Sequence, residues 1–260
     1  MVDFLAVLAA VSNADETARR AFFDRVVAML AEASVDVRKR GALFASQVTL
    51  PASYTSRLAV ALSDANEQVR FGAAWALVRQ GPDAVAALDQ LLLRFEDDHD
   101  PTRDRAAWAV SNIGAPAIPR LIELLGRPSV RTRALAVGCM GNIVSIPRDR
   151  SNALSDAQVR SLAETLLAVI NDREPWVRFN ALEAFSQLEQ RLVLPAMVEL
   201  LDAEGDYTRE RAALCLCWAS PQLTPEAVSA LERHLSEDNR AVRHHAAEAL
   251  RRMGRLKENQ

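Results

Sequence analysis

Aromatic side chains are scarce in this chain, at 5 % of 260 residues, and glycine (9) and proline (11) are sparse too. Sandwiches and barrels draw on β-branched and aromatic cores and on glycine and proline turns, so the shortage argues against both. Cysteine occurs three times, as Cys139, Cys215 and Cys217, an odd set that fits no zinc-site spacing. Cys215 and Cys217 are two apart, so on a helix they point to different faces. Reduced thiols of a cytosolic protein are the simplest account. Excess charge of one sign is missing. The formal balance is -3 and the pI about 5.9, which gives no global pull toward nucleic acid or an anionic membrane. Long apolar runs are also missing, and nothing reaches the ~18 residues of a membrane span. The apolar stretch Phe4 to Val11 has Asp3 where a signal sequence would carry positive charge, and it reads as a capping helix.

What the chain has in quantity is alanine and leucine, and half of all residues are apolar. That is the composition of packed helices. A period is also present. Valine or threonine followed by arginine recurs seven times, at Val37-Arg38, Val69-Arg70, Thr102-Arg103, Val130-Arg131, Val177-Arg178, Thr208-Arg209 and Val242-Arg243. The arginines are spaced by 32, 33, 28, 47, 31 and 34 residues. Six residues before the arginine stands an acid in five copies: Glu32, Asp64, Asp97, Asp172 and Glu237. Leu125 and Ala203 take that place in the other two. The third copy reads Asp100-Pro-Thr-Arg-Asp-Arg-Ala-Ala-Trp-Ala-Val-Ser-Asn-Ile-Gly114, and the next segment opens Ala115-Pro-Ala-Ile-Pro-Arg-Leu-Ile-Glu-Leu-Leu125.

From about Glu32 to Gly254 this pattern resembles the short HEAT-like repeats of the phycobilin lyase-type family and of many bacterial scaffold proteins. The resemblance implies an all-α, right-handed α-solenoid of about seven helix pairs with an N-terminal capping helix. It implies little about function, because such repeats serve many. The residues agree with the fold. Counting each second helix from its arginine as zero, position +3 is small throughout: Gly41, Ala73, Ala106, Ala134, Ala181, Ala212 and Ala246. With -1, +6, +7 and +10 mostly apolar, this makes one helical stripe, narrow at +3 where another helix must come close. A single pair cannot bury that stripe, and a stack can. In HEAT-like arrays the acid and the arginine form a ladder between neighbouring repeats, which assigns Asp64, Arg70, Asp97, Arg103, Asp172, Arg178, Glu237 and Arg243 a structural role. The 47-residue spacing holds a longer loop, 144–156 (VSIPRDRSNALSD), rich in turn formers. Gly138 and Gly141 weaken the helix before it. Residues 1–260 are expected to form a single array with a soft break there.

Chemistry has few candidates. His244 and Glu248 lie one helical turn apart, but no third metal ligand is apparent. The di-iron deoxyhypusine hydroxylases, which share the repeat, ligate through His-Glu pairs, and the chain contains no such dipeptide: His99 precedes Asp100 and His234 precedes Leu235. No cysteine has a histidine near it in sequence. No Gly-x-Ser-x-Gly or phosphate-binding glycine loop occurs. No catalytic residue, metal or cofactor is expected.

A surface remains. Second helices line the concave side of HEAT arrays, and positions +1 and +5 point away from the core stripe on one side. Position +1 holds Lys39, Phe71, Asp104, Thr132, Phe179, Glu210 and His244. Position +5 holds Leu43, Trp75, Trp108, Ala136, Glu183, Leu214 and Glu248. Position +2 adds Arg40, Arg105, Arg133 and Arg211 along one edge. Equivalent positions on stacked helices are about 8–10 Å apart, so Phe71, Trp75 and Trp108 should cluster near Arg105 and Arg133. Exposed aromatics flanked by arginine are the composition of binding hot spots, although tryptophan at +5 could instead pack between second helices. The reading is a cytoplasmic, bacterial, non-catalytic scaffold that binds a protein or peptide through Phe71, Trp75, Asp104, Arg105, Trp108, Arg133 and Phe179. Two alternatives come from the resemblance: nucleic-acid binding like the HEAT-like alkylpurine DNA glycosylases, and a chromophore lyase-like or chaperone role. The acids Glu96, Asp97, Asp98 and Asp100 count against the first, because neutralising phosphates supplies most nucleic-acid affinity.

Overall fold

The computed structural model describes residues 4–145, 154–170, 172–188, 190–220 and 223–257. Among these there is no strand. Helix α1 (Phe4–Ser12) precedes seven helix pairs. They are α2 (Glu16–Met29) with α3 (Val35–Ala45), α4 (Thr55–Ala61) with α5 (Glu67–Gln80), α6 (Leu88–Leu93) with α7 (Asp100–Ile113), and α8 (Ile118–Leu124) with α9 (Val130–Ser145). Then follow α10 (Asp156–Val169) with α11 (Pro175–Ser186), α12 (Gln190–Leu200) with α13 (Asp206–Ala219), and α14 (Pro225–Arg233) with α15 (Arg240–Arg252). Contacts divide the chain into two units, 1–139 and 140–260, meeting within α9. Of the expected 144–156 loop, 146–153 lie outside the described residues. No helix among the described residues is long and apolar enough to cross a membrane.

Helices α5 and α15 start where a polar side chain takes up their orphan N–H groups. Asn66 accepts from the Gln68 amide at 3.0 Å, and Asn239 from those of Ala241 and Val242 at 2.9 and 3.2 Å. Proline at a first helical turn opens α7 and α11. Glycine with positive φ, which an L side chain resists, ends α5 and α7 at Gly81 and Gly114. The repeated stripe is the core. Val69, Thr102, Val177 and Val242 at -1 are sealed from solvent, as are Ala73, Ala106, Ala181, Ala212 and Ala246 at +3. Glycine marks the closest approach. A Cβ on Gly72 would stand 2.7 Å from both the Cβ and the carbonyl oxygen of Ala42 on α3, and one on Gly41 would meet the Met29 Cβ at 2.8 Å.

The ladder has a consistent design, and it corrects the register of the fourth copy. In most pairs the arginine Nη1 donates back to the carbonyls six and five residues earlier: Arg38 to Glu32 and Ala33, Arg70 to Asp64 and Ala65, Arg178 to Asp172 and Arg173, Arg209 to Ala203 and Glu204. Arg243 does so to Glu237 and Asp238, while Arg103 bonds the carbonyl of Asp97 six residues earlier. In the fourth copy the residue that makes these bonds is Arg133, to Arg127 and Pro128 at 3.0 and 2.9 Å, not Arg131. Thr132 and Ala136 then take the buried -1 and +3 places. The spacings on either side become 30 and 45 residues.

The rest of each guanidinium reaches forward to the acid of the next copy. Arg38 makes a two-pronged contact with Asp64 (2.6 and 3.3 Å) and Arg70 with Asp97 (2.7 and 2.8 Å). Arg209 approaches Glu237 at 3.3 Å. Arg70 therefore touches its own copy's acid, Asp64, through that residue's carbonyl only. Asp64, Asp97 and Asp172 each also accept the backbone N–H two residues on, at 2.8, 3.1 and 2.9 Å. Where the next copy offers no acid, the arginine finds other company. Arg103 bonds Asp100 beside it, and Arg178 lies over the Tyr207 ring, 5.6 Å from its centre.

Candidate functional site

The second-helix face of the first unit is built by α3, α5 and α7, whose +3 residues are turned into the core and whose +1 and +5 residues, with Arg40 and Arg105 at +2, lie outward, whereas Gly72 at +2 of α5 is buried against α3. Trp75 on α5 and Trp108 on α7 stand at successive +5 positions, with ring centroids 5.3 Å apart and planes at 74°. This is an edge-to-face pair. Trp75 is half-buried, whereas Trp108 is 44 % exposed. The Arg105 guanidinium, at +2 of the third copy, lies over both rings, 4.2 Å from the centre of Trp75 and 5.1 Å from that of Trp108. It forms no ion pair among the described residues, and its Nε is buried without a hydrogen-bond partner. A guanidinium carries five donors in a planar fork. Here its flat side is occupied by indoles, and its donors have no protein acceptor among the described residues.

The other expected site residues fall in three places. Asp104 is exposed, on α7 beside Arg105. Phe71 is half-buried and meets the His99 ring edge-on at 6.2 Å, and it also lines a groove of ≈ 390 Å³ between α3 and α5 with Lys39, Arg40 and Leu43. Leu43, at +5 of the first copy, is half exposed. Arg133 does not join this face. It is buried at 4 % exposure as the ladder arginine of its copy, with its Nη1 held by two backbone carbonyls. Phe179 belongs to the second unit. There it stacks on Trp176 with centroids 5.6 Å apart and planes at 13°, and the Arg211 guanidinium lies 5.5 Å from its centre. Arg211 is the +2 residue of the next copy, as Arg105 is for Trp75, so both units hold an arginine from one copy over an aromatic of the copy before.

Two exposed tryptophans, Trp176 and Trp218, escaped the positional reading. They stand at -2 and +9, outside the stripes that periodicity singled out. Pro175 before Trp176, which opens the helix, was the available signal for the first. Among the described residues no group of three histidine, cysteine or acidic side chains could hold a metal ion. Burial pushes the Cys139 thiol up to about 12 and that of Cys215 up to about 11.

The profile of HEAT repeats matches residues 54–141 and 151–217. Solved structures of similar shape include two engineered proteins. One is 19 % identical, covering 89 % of this chain and 68 % of the other, with a TM-score of 0.45. The second is 17 % identical over 89 % and 96 %, with a TM-score of 0.36. A designed armadillo repeat protein, solved in complex with the peptide (KR)4, is 20 % identical over 88 % and 98 %, with a TM-score of 0.42. No curated protein sequence matches the chain. The family match spans more than half of the sequence and coincides with the helix pairs seen in both units, and the chain belongs to the HEAT-repeat family.

Proposed function

We propose that this protein is a non-catalytic interaction module that holds a protein or peptide segment on the second-helix face of its first unit, anchored by Trp75, Trp108 and Arg105. The observation that carries the reading is the Arg105 guanidinium, stacked over two indoles with no carboxylate of the described chain to answer it. Such a cation is preorganised: its rotamer is fixed by the rings before a ligand arrives, so little entropy is lost in forming new hydrogen bonds. Exposed tryptophan beside arginine is also the composition of interface hot spots. Phe71 and Leu43 extend the apolar floor toward α3, and Asp104 offers one acceptor at the edge. Three free, buried thiols suit work in a reducing compartment, which fits a cytoplasmic protein.

Selection of short random peptides displayed on phage tests the reading. The native protein should enrich a family of peptides, and the double change Trp75→Ala with Trp108→Ala should lose about 2 kcal/mol or more of binding to them. No enrichment above background, or peptides that bind the double variant equally well, would sink the proposal. Because Trp75 is half-buried, Trp108→Ala alone is the cleaner probe and should leave the helical signal unchanged. The narrower lyase-type role would use the same indoles to hold a flat tetrapyrrole, which would displace the selected peptides.

A further inference from the structure

We infer that the segment bound on this face is an acidic peptide in extended form, with two carboxylates flanking one apolar side chain. The inference rests on the interaction reading and assigns the partner's chemistry. Charge on the face is the first ground. Across the first three second helices the groove lining and positions +1 and +2 hold Lys39, Arg40 and Arg105 against Asp36 and Asp104, in a chain whose formal balance is -3, and Lys39 pairs with Asp36 at 4.0 Å. The face therefore runs against the sign of the molecule. Arg40 is exposed and, like Arg105, makes no ion pair among the described residues. The second ground is the apolar seat between them. The groove of ≈ 390 Å³ between α3 and α5 is lined by Asp36, Lys39, Arg40, Leu43 and Phe71, and the tryptophan pair under Arg105 stands on the neighbouring helices α5 and α7. The third is spacing. Arg40 and Arg105 occupy the same position two copies apart, so their backbones are about 16–20 Å apart at ordinary helix-packing distances. An extended chain rises about 3.3 Å per residue, which puts the two carboxylates about five or six residues apart.

A planar guanidinium whose flat side is covered by indoles offers its edge to a carboxylate in a two-pronged contact. Phosphates are also anionic, but a nucleic acid draws its affinity from many neutralised phosphates. Here Arg40 and Arg105, neither in an ion pair among the described residues, stand two copies apart with the exposed carboxylate of Asp104 next to Arg105, which favours a peptide with a few well-placed acids.

The peptides enriched on the native protein carry the test. The expected consensus is two acidic residues about five or six apart with a bulky apolar residue between them. Binding should weaken steeply with salt and fall about tenfold or more in Arg105→Glu or Arg40→Glu. A peptide with lysine in place of one acid should regain affinity for the matching charge-reversed variant. Arg105→Gln serves if the glutamate variant fails to fold, judged by its far-ultraviolet circular dichroism. A neutral or basic consensus, still dependent on Trp75 and Trp108, would overturn this inference and leave the interaction reading standing. Loss of the peptides to competing oligo-dT would overturn it in favour of a nucleic-acid ligand. No enrichment at all would remove both.

Discussion

Each ladder arginine joins two copies through one side chain. Arg70 has 14 % of its side chain exposed and Asp97 2 %, and both prongs of the contact are shorter than 2.9 Å. Arg70→Ala would leave a buried carboxylate with the backbone N–H of His99 and the more distant Arg94 at 3.4 Å, together with two freed carbonyls. The expected cost is about 2–4 kcal/mol, read from denaturant melts, while exposed Arg40→Ala should cost less than about 0.5 kcal/mol. Burial alone would raise the carboxyls of Asp64 and Asp97. The hydrogen bonds from Arg38 and Arg70 and from the turn amides outweigh it and hold both below the usual carboxylate range. A lowered native value means stability that is complete above the unfolded value, about pH 4, and is lost as pH falls further through the native value. Thermal melts between about pH 6 and pH 2 should show this loss, and Asp97→Asn should flatten it. The sequence made the acid and the arginine legible through their constant offset. It did not show that the guanidinium fork faces the acid of the next copy and turns its remaining N–H back to its own turn, because both acids are equally plausible in a linear reading.

Helix spacing is set where side chains are smallest. A methyl on Gly72 would press into the Ala42 carbonyl, which is backbone and cannot swing away. Gly72→Ala should therefore cost about 1–3 kcal/mol despite the higher helix propensity of alanine, and a variant as stable as the native protein would show that α3 and α5 can separate freely. The register of α9 was ambiguous for a simple reason. Val130-Arg131-Thr132-Arg133 contains the signal twice, and both Ala134 and Ala136 satisfy the small residue at +3. Only the bonds from Arg133 to the carbonyls of Arg127 and Pro128 decide between them. The corrected register puts exposed Arg127 at the position where five of the other copies carry the acid, the place the forward reach of Arg103 would meet in a regular ladder. That junction is linked instead by Glu96, which accepts from the Thr132 hydroxyl. Arg127→Asp should supply the missing rung and raise stability by up to about 1 kcal/mol, a gain that Arg103→Ala should abolish.

Seven copies of one pattern made the all-helical array legible, since the core stripe repeats and each copy corroborates the next. The candidate site was legible only in part. Trp75 and Trp108 follow from the period because equivalent positions on adjacent helices must be neighbours, and Arg105 follows from its place at +2. Arg133 was drawn out of the face by the register, and Trp176 and Trp218 lie off the stripes. The intact fold should also shield its thiols. With Cys139 and Cys215 buried and their values raised, alkylation at about pH 8 should be slow in the native protein and fast in denaturant. Rapid native modification would mean that the helices around them open. The tryptophan pair has an optical consequence. Two indoles 5.3 Å apart and inclined at 74° have coupled electronic transitions in a fixed chiral arrangement. The far-ultraviolet circular dichroism spectrum should carry, on top of the helical signal, a two-signed exciton band that vanishes in Trp108→Ala, and whose shape changes when a ligand side chain packs against the rings. The site then reports its own occupancy without a label.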